Sequence, residues 1–150
     1  MRTKFSIIIL IFMIILLTAC GGSGGDKAAA NPTEGTFKGS TSQGNEFTLM
    51  IENINGEITV TSIQYKVKIK GEGWSVTIDY VQPLECQLAV KDGRFMGTIP
   101  LTGGDPPVEI SGVFYGDDEV QGRLKQTKVH PQGLGSGIAD ITFSANKTSP

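Results

Sequence analysis

The chain has 150 residues, with 13 basic and 15 acidic side chains, one histidine and two cysteines. The formal net charge of −2 argues against a nucleic-acid partner, which wants a strongly basic surface. Two cysteines cannot staple a small disulfide scaffold, and the length suits one ordinary domain behind an N-terminal leader.

Arg2 and Lys4 open the chain, and an unbroken apolar run follows from Ile7 to Leu17. A basic start, an apolar stretch of about 7–15 residues and a small-residue cut site define a secretory signal. A spanning helix needs roughly 20 apolar residues, and here the apolar character stops at Cys20, where Gly21 and Gly22 follow. The residues alone also fit an ordinary signal peptide or a short membrane anchor. Leu17-Thr18-Ala19-Cys20 is similar to the lipobox of bacterial lipoproteins at every position. The resemblance implies cleavage between Ala19 and Cys20 and a diacylglycerol on the Cys20 sulfur. It also implies a protein held at the cell envelope, facing away from the cytoplasm. Two acyl chains give stable attachment where one is marginal. Gly21 stands where an Asp would retain such a protein in the inner membrane, so a Gram-negative source implies the outer membrane.

Removal of residues 1–19 takes Arg2 and Lys4 and leaves 11 of the 13 basic side chains against 15 acidic ones, a net of −4. Residues 20–34 read as the lipidated cysteine and a flexible Gly/Ser/Ala spacer. Residues 35–150 read as one β-domain, large enough to bury a core without disulfides.

Period-two alternation dominates that domain. Glu46–Asn53 is a strand, and Asn55-Gly56 signals a type I′ hairpin. Ile58–Lys70 follows, with Ile63, Tyr65, Val67 and Ile69 on one face. Ile58 and Val60 are out of phase with those four, which predicts a bulge near Thr61-Ser62. After a Gly71–Gly73 turn, Trp74, Val76, Ile78 and Tyr80 share a face. Pro83 ends that strand. Glu85–Val90 is expected to pair through Asp92-Gly93 with Phe95–Leu101. Strands Val108–Tyr115 and Val120–Lys128 flank the acidic turn Gly116–Glu119. A Gly-rich loop, His130–Gly137, leads to Ala139, Ile141, Phe143 and Ala145 in a closing strand. The expected class is all-β, an antiparallel sandwich or small barrel built mainly of hairpins.

Gly-x-Phe-x-Gly occurs at Gly35–Gly39, Gly93–Gly97 and Gly112–Gly116. The pattern predicts rings lying over glycines of neighbouring strands, a packing device. Gly35-Thr-Phe-Lys-Gly, Asp92-Gly-Arg-Phe95, Ile110-Ser-Gly-Val-Phe114 and the Ser136-Gly137 to Ala145-Asn146-Lys147 ending resemble a pattern in secreted bacterial β-domains of no established activity. Those domains often carry a cysteine pair and a Trp in the last strand, and this chain has neither. The opening Gly-Thr-Phe is a weaker match to the start of lipocalin-like barrels.

No catalytic constellation emerges. His130 is the only imidazole, and no Gly-x-Ser-x-Gly element accompanies it. Cys86 alternates with Leu88 and Val90 and reads as an inward, apolar position. Asp79, Glu85, Asp105 and Glu109 are acids that spacing alone does not pair. Asp117, Asp118 and Glu119 are weak metal candidates, clustered oxygens without the spacing of a calcium loop. Gly133, Gly135 and Gly137 precede a strand rather than the helix a phosphate cradle needs. Lys66, Lys68 and Lys70 form an outward stripe, read as a solvated face or edge guard, or as a contact for anionic lipid or cell-wall polymer.

The expectation is therefore a non-enzymatic binding or scaffolding domain without cofactor or metal. Its expected partners are the membrane, through Cys20, and an envelope protein, a glycan or an apolar ligand. The alternatives are a lipocalin-like carrier, which needs an unfilled interior, and a glycan-binding module, which needs Trp74, Tyr65, Tyr80 or Tyr115 exposed together.

Overall fold

A computed structural model describes residues 27–148, so Ala19, Cys20 and the signal lie outside the described residues. Nine strands form: β1 (Gly35–Thr41), β2 (Glu46–Ile54), β3 (Glu57–Gly71), β4 (Trp74–Asp79), β5 (Leu84–Ala89), β6 (Arg94–Ile99), β7 (Val108–Tyr115), β8 (Glu119–Val129) and β9 (Ser136–Lys147). The fold is all-β and antiparallel, with no helix among the described residues. The strand path is β4-β3-β2-β1-β9-β8-β7-β6, with β5 also on β3 and one further pairing of β3 with β9 at Lys70 and Ile138.

The alternation read from sequence is what builds each strand. β9 shows it most cleanly: Gly137, Ala139, Ile141, Phe143 and Ala145 are buried and their neighbours are exposed. Asn55 and Gly56 adopt φ of 55° and 91°, the left-handed pair that a type I′ turn requires. The register of β2 against β3 slips between Met50 and Ile51, leaving Thr61 as the extra residue. That bulge carries Val60 and Ile63 onto the same buried side although they are three apart.

Two pairings differ from a simple succession of hairpins. Asp92 and Gly93 do form the tight turn, with φ of 51° and 69° and reciprocal Lys91–Arg94 backbone bonds of 2.8 and 2.9 Å. Beyond it the strands part. β5 pairs with β3, from Thr59–Ala89 to Ile63–Leu84, while β6 pairs with β7. On β3 the apolar side of β5 reaches the core, where Leu84, Cys86 and Leu88 pack, and Leu88 lies over Gly97. The second difference is long-range: β1, the first strand, pairs with β9, the last.

The segment before β1 is not a free spacer throughout. Ala29 bridges Tyr115, Ala30 N–H donates to Phe114 O (3.1 Å) and Asn31 Oδ1 accepts from Gly93 N–H (2.7 Å). Residues 27–33 thus form a strap across the turns that precede β6 and β8.

The core is aromatic. Phe47 stacks on Phe143 with centroids 4.1 Å apart, and Phe37 meets Phe114 edge-on at 5.3 Å. Phe47 is in register with Gly39, Phe95 with Gly112 and Phe143 with Gly122. The Phe95 and Phe143 rings fill the space where a Cβ at Gly112 or Gly122 would stand. Each buried ring contributes about 1.5–3 kcal/mol of apolar burial, and together the rings occupy the space between the strands.

Candidate functional site

The inward column of β8 begins Val120, Gly122, Leu124 and then changes chemistry to Gln126 and Lys128. Gln126 is fully buried. Its Oε1 accepts from the Tyr65 hydroxyl (2.9 Å), and its Nε2 donates to the Tyr80 hydroxyl (2.5 Å). The Tyr65 and Tyr80 rings lie 4.9 Å apart. Burial raises the Tyr65 phenol far above its ordinary value. Burial also raises Tyr80, partly offset by the hydrogen bond from Gln126. Both phenols are therefore neutral donors and acceptors at physiological pH.

Lys128 continues the column outward. Its Nζ pairs with Asp105 Oδ2 at 2.6 Å, with the side chains only 31% and 17% exposed. Tyr80, Lys128 and Asp105 line one cleft of about 640 Å³, whose other walls come from β4, the Pro83–Glu85 bend and Pro100–Thr102. Apolar walls are interspersed here with Thr77, Asp79, Glu85 and Thr102, and a recess with convergent polar groups is a usual form of a binding site. Gln126 and Lys128 were not singled out from sequence. The signal was there, since both sit in phase with Val120 and Leu124.

Of the residues named from sequence, Asp79, Glu85, Asp105 and Tyr80 line this cleft together, and the others lie elsewhere. Lys66, Lys68 and Lys70 are exposed; β4 pairs with one side of β3 at these residues, and on the other side no strand pairs with Lys66 or Lys68. Lys66 is 3.0 Å from Asp79. The carboxylates of Asp79, Asp105 and Glu109 each meet a lysine, Lys66, Lys128 and Lys125, rather than one another. Asp117 and Glu119 serve the strap. Asp117 Oδ1 accepts from Thr33 N–H (2.5 Å), Thr33 Oγ1 (2.7 Å) and Lys147, and these bonds hold its carboxyl below the usual range. Glu119 pairs with Lys27, which lowers it likewise. Among the described residues no group of three or more acids, histidines or cysteines is placed to hold a metal ion.

The aromatic side chains form no common platform. Tyr65 is buried. Trp74 is half-buried, donating from Nε1 to Leu134 O (3.2 Å) and packing edge-on against His130 (5.0 Å). Tyr115 is half-buried, its backbone bridged to Ala29. The Gly133–Gly137 loop covers Trp74, and a Cβ on Gly137 would press on that ring.

Cys86 packs against the core and its thiol faces Val60 O at 3.5 Å. Burial, with Glu85 next to it, pushes the thiol up to about 11. Alkylation by iodoacetamide at pH 8 is expected to run roughly a hundredfold slower than for a free cysteine, and to accelerate as pH rises toward that value. Mass spectrometry of timed aliquots measures this. Prompt labelling at pH 8 in the folded protein would contradict the burial of the thiol.

Comparison of the chain with protein families, with curated proteins and with solved structures finds no match.

Proposed function

We propose that the chain is a membrane-tethered, extracytoplasmic lipoprotein whose sheet offers the Tyr80–Lys128–Asp105 cleft as a non-enzymatic binding site. The observation that carries the tether is Leu17-Thr18-Ala19-Cys20 at the end of an 11-residue apolar run. The Cys20 sulfur takes the lipid, and the peptide bond after Ala19 is cut. Two buried acyl chains then hold the protein at the bilayer.

The strap enters at Glu119, the first residue of β8, and the cleft closes on Lys128 near its last. At about 3.3 Å per residue these lie roughly 30 Å apart. From Cys20 to Lys27 the chain reaches at most about 25 Å, so a lipid on Cys20 would keep the strap end of the domain within that distance of the bilayer. The binding reading rests on a recess that Tyr80, the end of a buried polar network, and the half-buried Lys128–Asp105 ion pair both line.

The test is Cys20→Ser. The variant is expected to leave the membrane fraction for the soluble one, and to lose incorporation of labelled palmitate. A variant that stays equally membrane-bound would end the lipoprotein reading.

A further inference from the structure

The cleft touches Val76, Thr77, Ile78, Asp79 and Tyr80 in succession. Successive strand residues point to opposite faces, so a void that meets all five runs along the edge of β4. β4 is an end of the strand path and pairs only with β3. Tyr80 N–H donates to Tyr65 O (3.0 Å). Antiparallel pairing alternates, so the even residues of β4 bond β3, and Ser75, Thr77 and Asp79 turn their N–H and C=O groups outward.

The same alternation turns Lys66 and Lys68 of β3 the other way, and there the chain caps itself. Gln43 accepts from Lys68 N–H (2.7 Å) and donates to Lys68 O (2.9 Å), and Asn45 donates to Lys66 O (3.2 Å). Among the described residues no side chain does this for Ser75, Thr77 or Asp79. Nor does β4 carry a lysine or proline of its own to blunt its edge.

We propose that this edge binds an extended peptide of a partner protein, which adds a strand beside Ser75, Thr77 and Asp79. The proposal names the occupant of the cleft put forward above and is independent of the lipid. Inward side chains of the added strand are apolar, because they meet Ile78, Leu101 and Pro100. Outward ones are acidic. Lys68 lies opposite Thr77 and Lys70 opposite Ser75, two strand spacings or roughly 10 Å from the added backbone, a gap that long lysine side chains shorten. Asp79 is already matched by Lys66, so beside Ser75 and Thr77 the stripe is left with positive charge to offer, while Glu85 at the other end of the cleft disfavours an acid there. Pro100 and Leu101 also line the cleft, and they stand against the continuing sheet of a second copy more than against a short single strand.

A fluorescein-labelled octapeptide of alternating valine and glutamate, titrated with the full-length protein in detergent and read by anisotropy, tests the proposal. Saturable binding is expected. Thr77→Pro removes one outward N–H and no bond to β3, and should weaken binding about tenfold while keeping the thermal midpoint. Methylating alternate peptide nitrogens should do the same from the other side, with no change to the protein. Lys68→Glu with Lys70→Glu should move the preference to a valine–lysine peptide. Absence of saturable binding, or affinity indifferent to both Thr77→Pro and N-methylation, overturns the proposal. So does self-association of the free protein that Thr77→Pro abolishes, since a second copy would then own the edge.

Discussion

Gly39→Ala is expected to lower the thermal midpoint by about 10 °C, read by circular dichroism. β1 lies between β2 and β9, and Gly39 is in register with Phe47 on one side and Ala145 on the other. An added Cβ would overlap the Ser144 carbonyl oxygen and stand 2.5 Å from the Ala145 Cα. These are backbone atoms, so no side chain can swing away. The strain is relieved only by parting β1 from β9, which costs about 3 kcal/mol. Gly44, in the turn before β2, has open space around its Cβ position, so Gly44→Ala is expected to cost only the modest strain of its left-handed backbone, about 1 kcal/mol. Equal midpoints for the two variants would mean that β1 and β9 do not approach this closely.

The second large effect lies in the buried network. Gln126→Leu keeps the volume and removes both the acceptor of the buried Tyr65 hydroxyl and the donor to the half-buried Tyr80 hydroxyl, which water can reach. A buried hydroxyl without a partner costs about 2 kcal/mol. Adding Tyr65→Phe removes the stranded group, so the double variant is expected to regain most of that loss in urea titrations, a coupling that a double-mutant cycle isolates. Additive losses would show that the two side chains do not share a bond. The phenols add a pH dependence. Burial raises Tyr65 above the ordinary value of 10.0, so above about pH 10 the unfolded chain releases a proton that the folded one keeps. Stability is then unaffected below that pH and falls as pH rises through it. Tyr65→Phe should flatten this fall.

Much of the sheet is legible in local pattern, because side-chain phase and turn chemistry are local properties. Asn55-Gly56 and Asp92-Gly93 announce their turns, and the phase slip between Val60 and Ile63 announces the bulge. Partner choice is another matter. Nothing in Leu84–Ala89 says that β3 rather than β6 will receive it; that follows from where its apolar side finds a core. The cleft was half legible. Gln126 and Lys128 break the apolar phase of β8 at inward positions, a signal as plain as any motif. Asp105 sits in a Gly/Pro loop that no periodicity places. Asp117 looked like a cluster of acids, and only the return of Thr33 and Lys147 shows that it fastens the strap.

β9 gathers β1 and β8 along its length and touches β3, yet of the nine strands described it is the last to emerge, from a ribosome or across a membrane. The hairpin made first must wait through roughly a hundred residues of synthesis for its neighbour, and closing a loop of that span is entropically slow. Until then β1 shows an unpaired side, so a nascent chain stalled before Ser136 is the species most exposed to proteolysis and to mispairing.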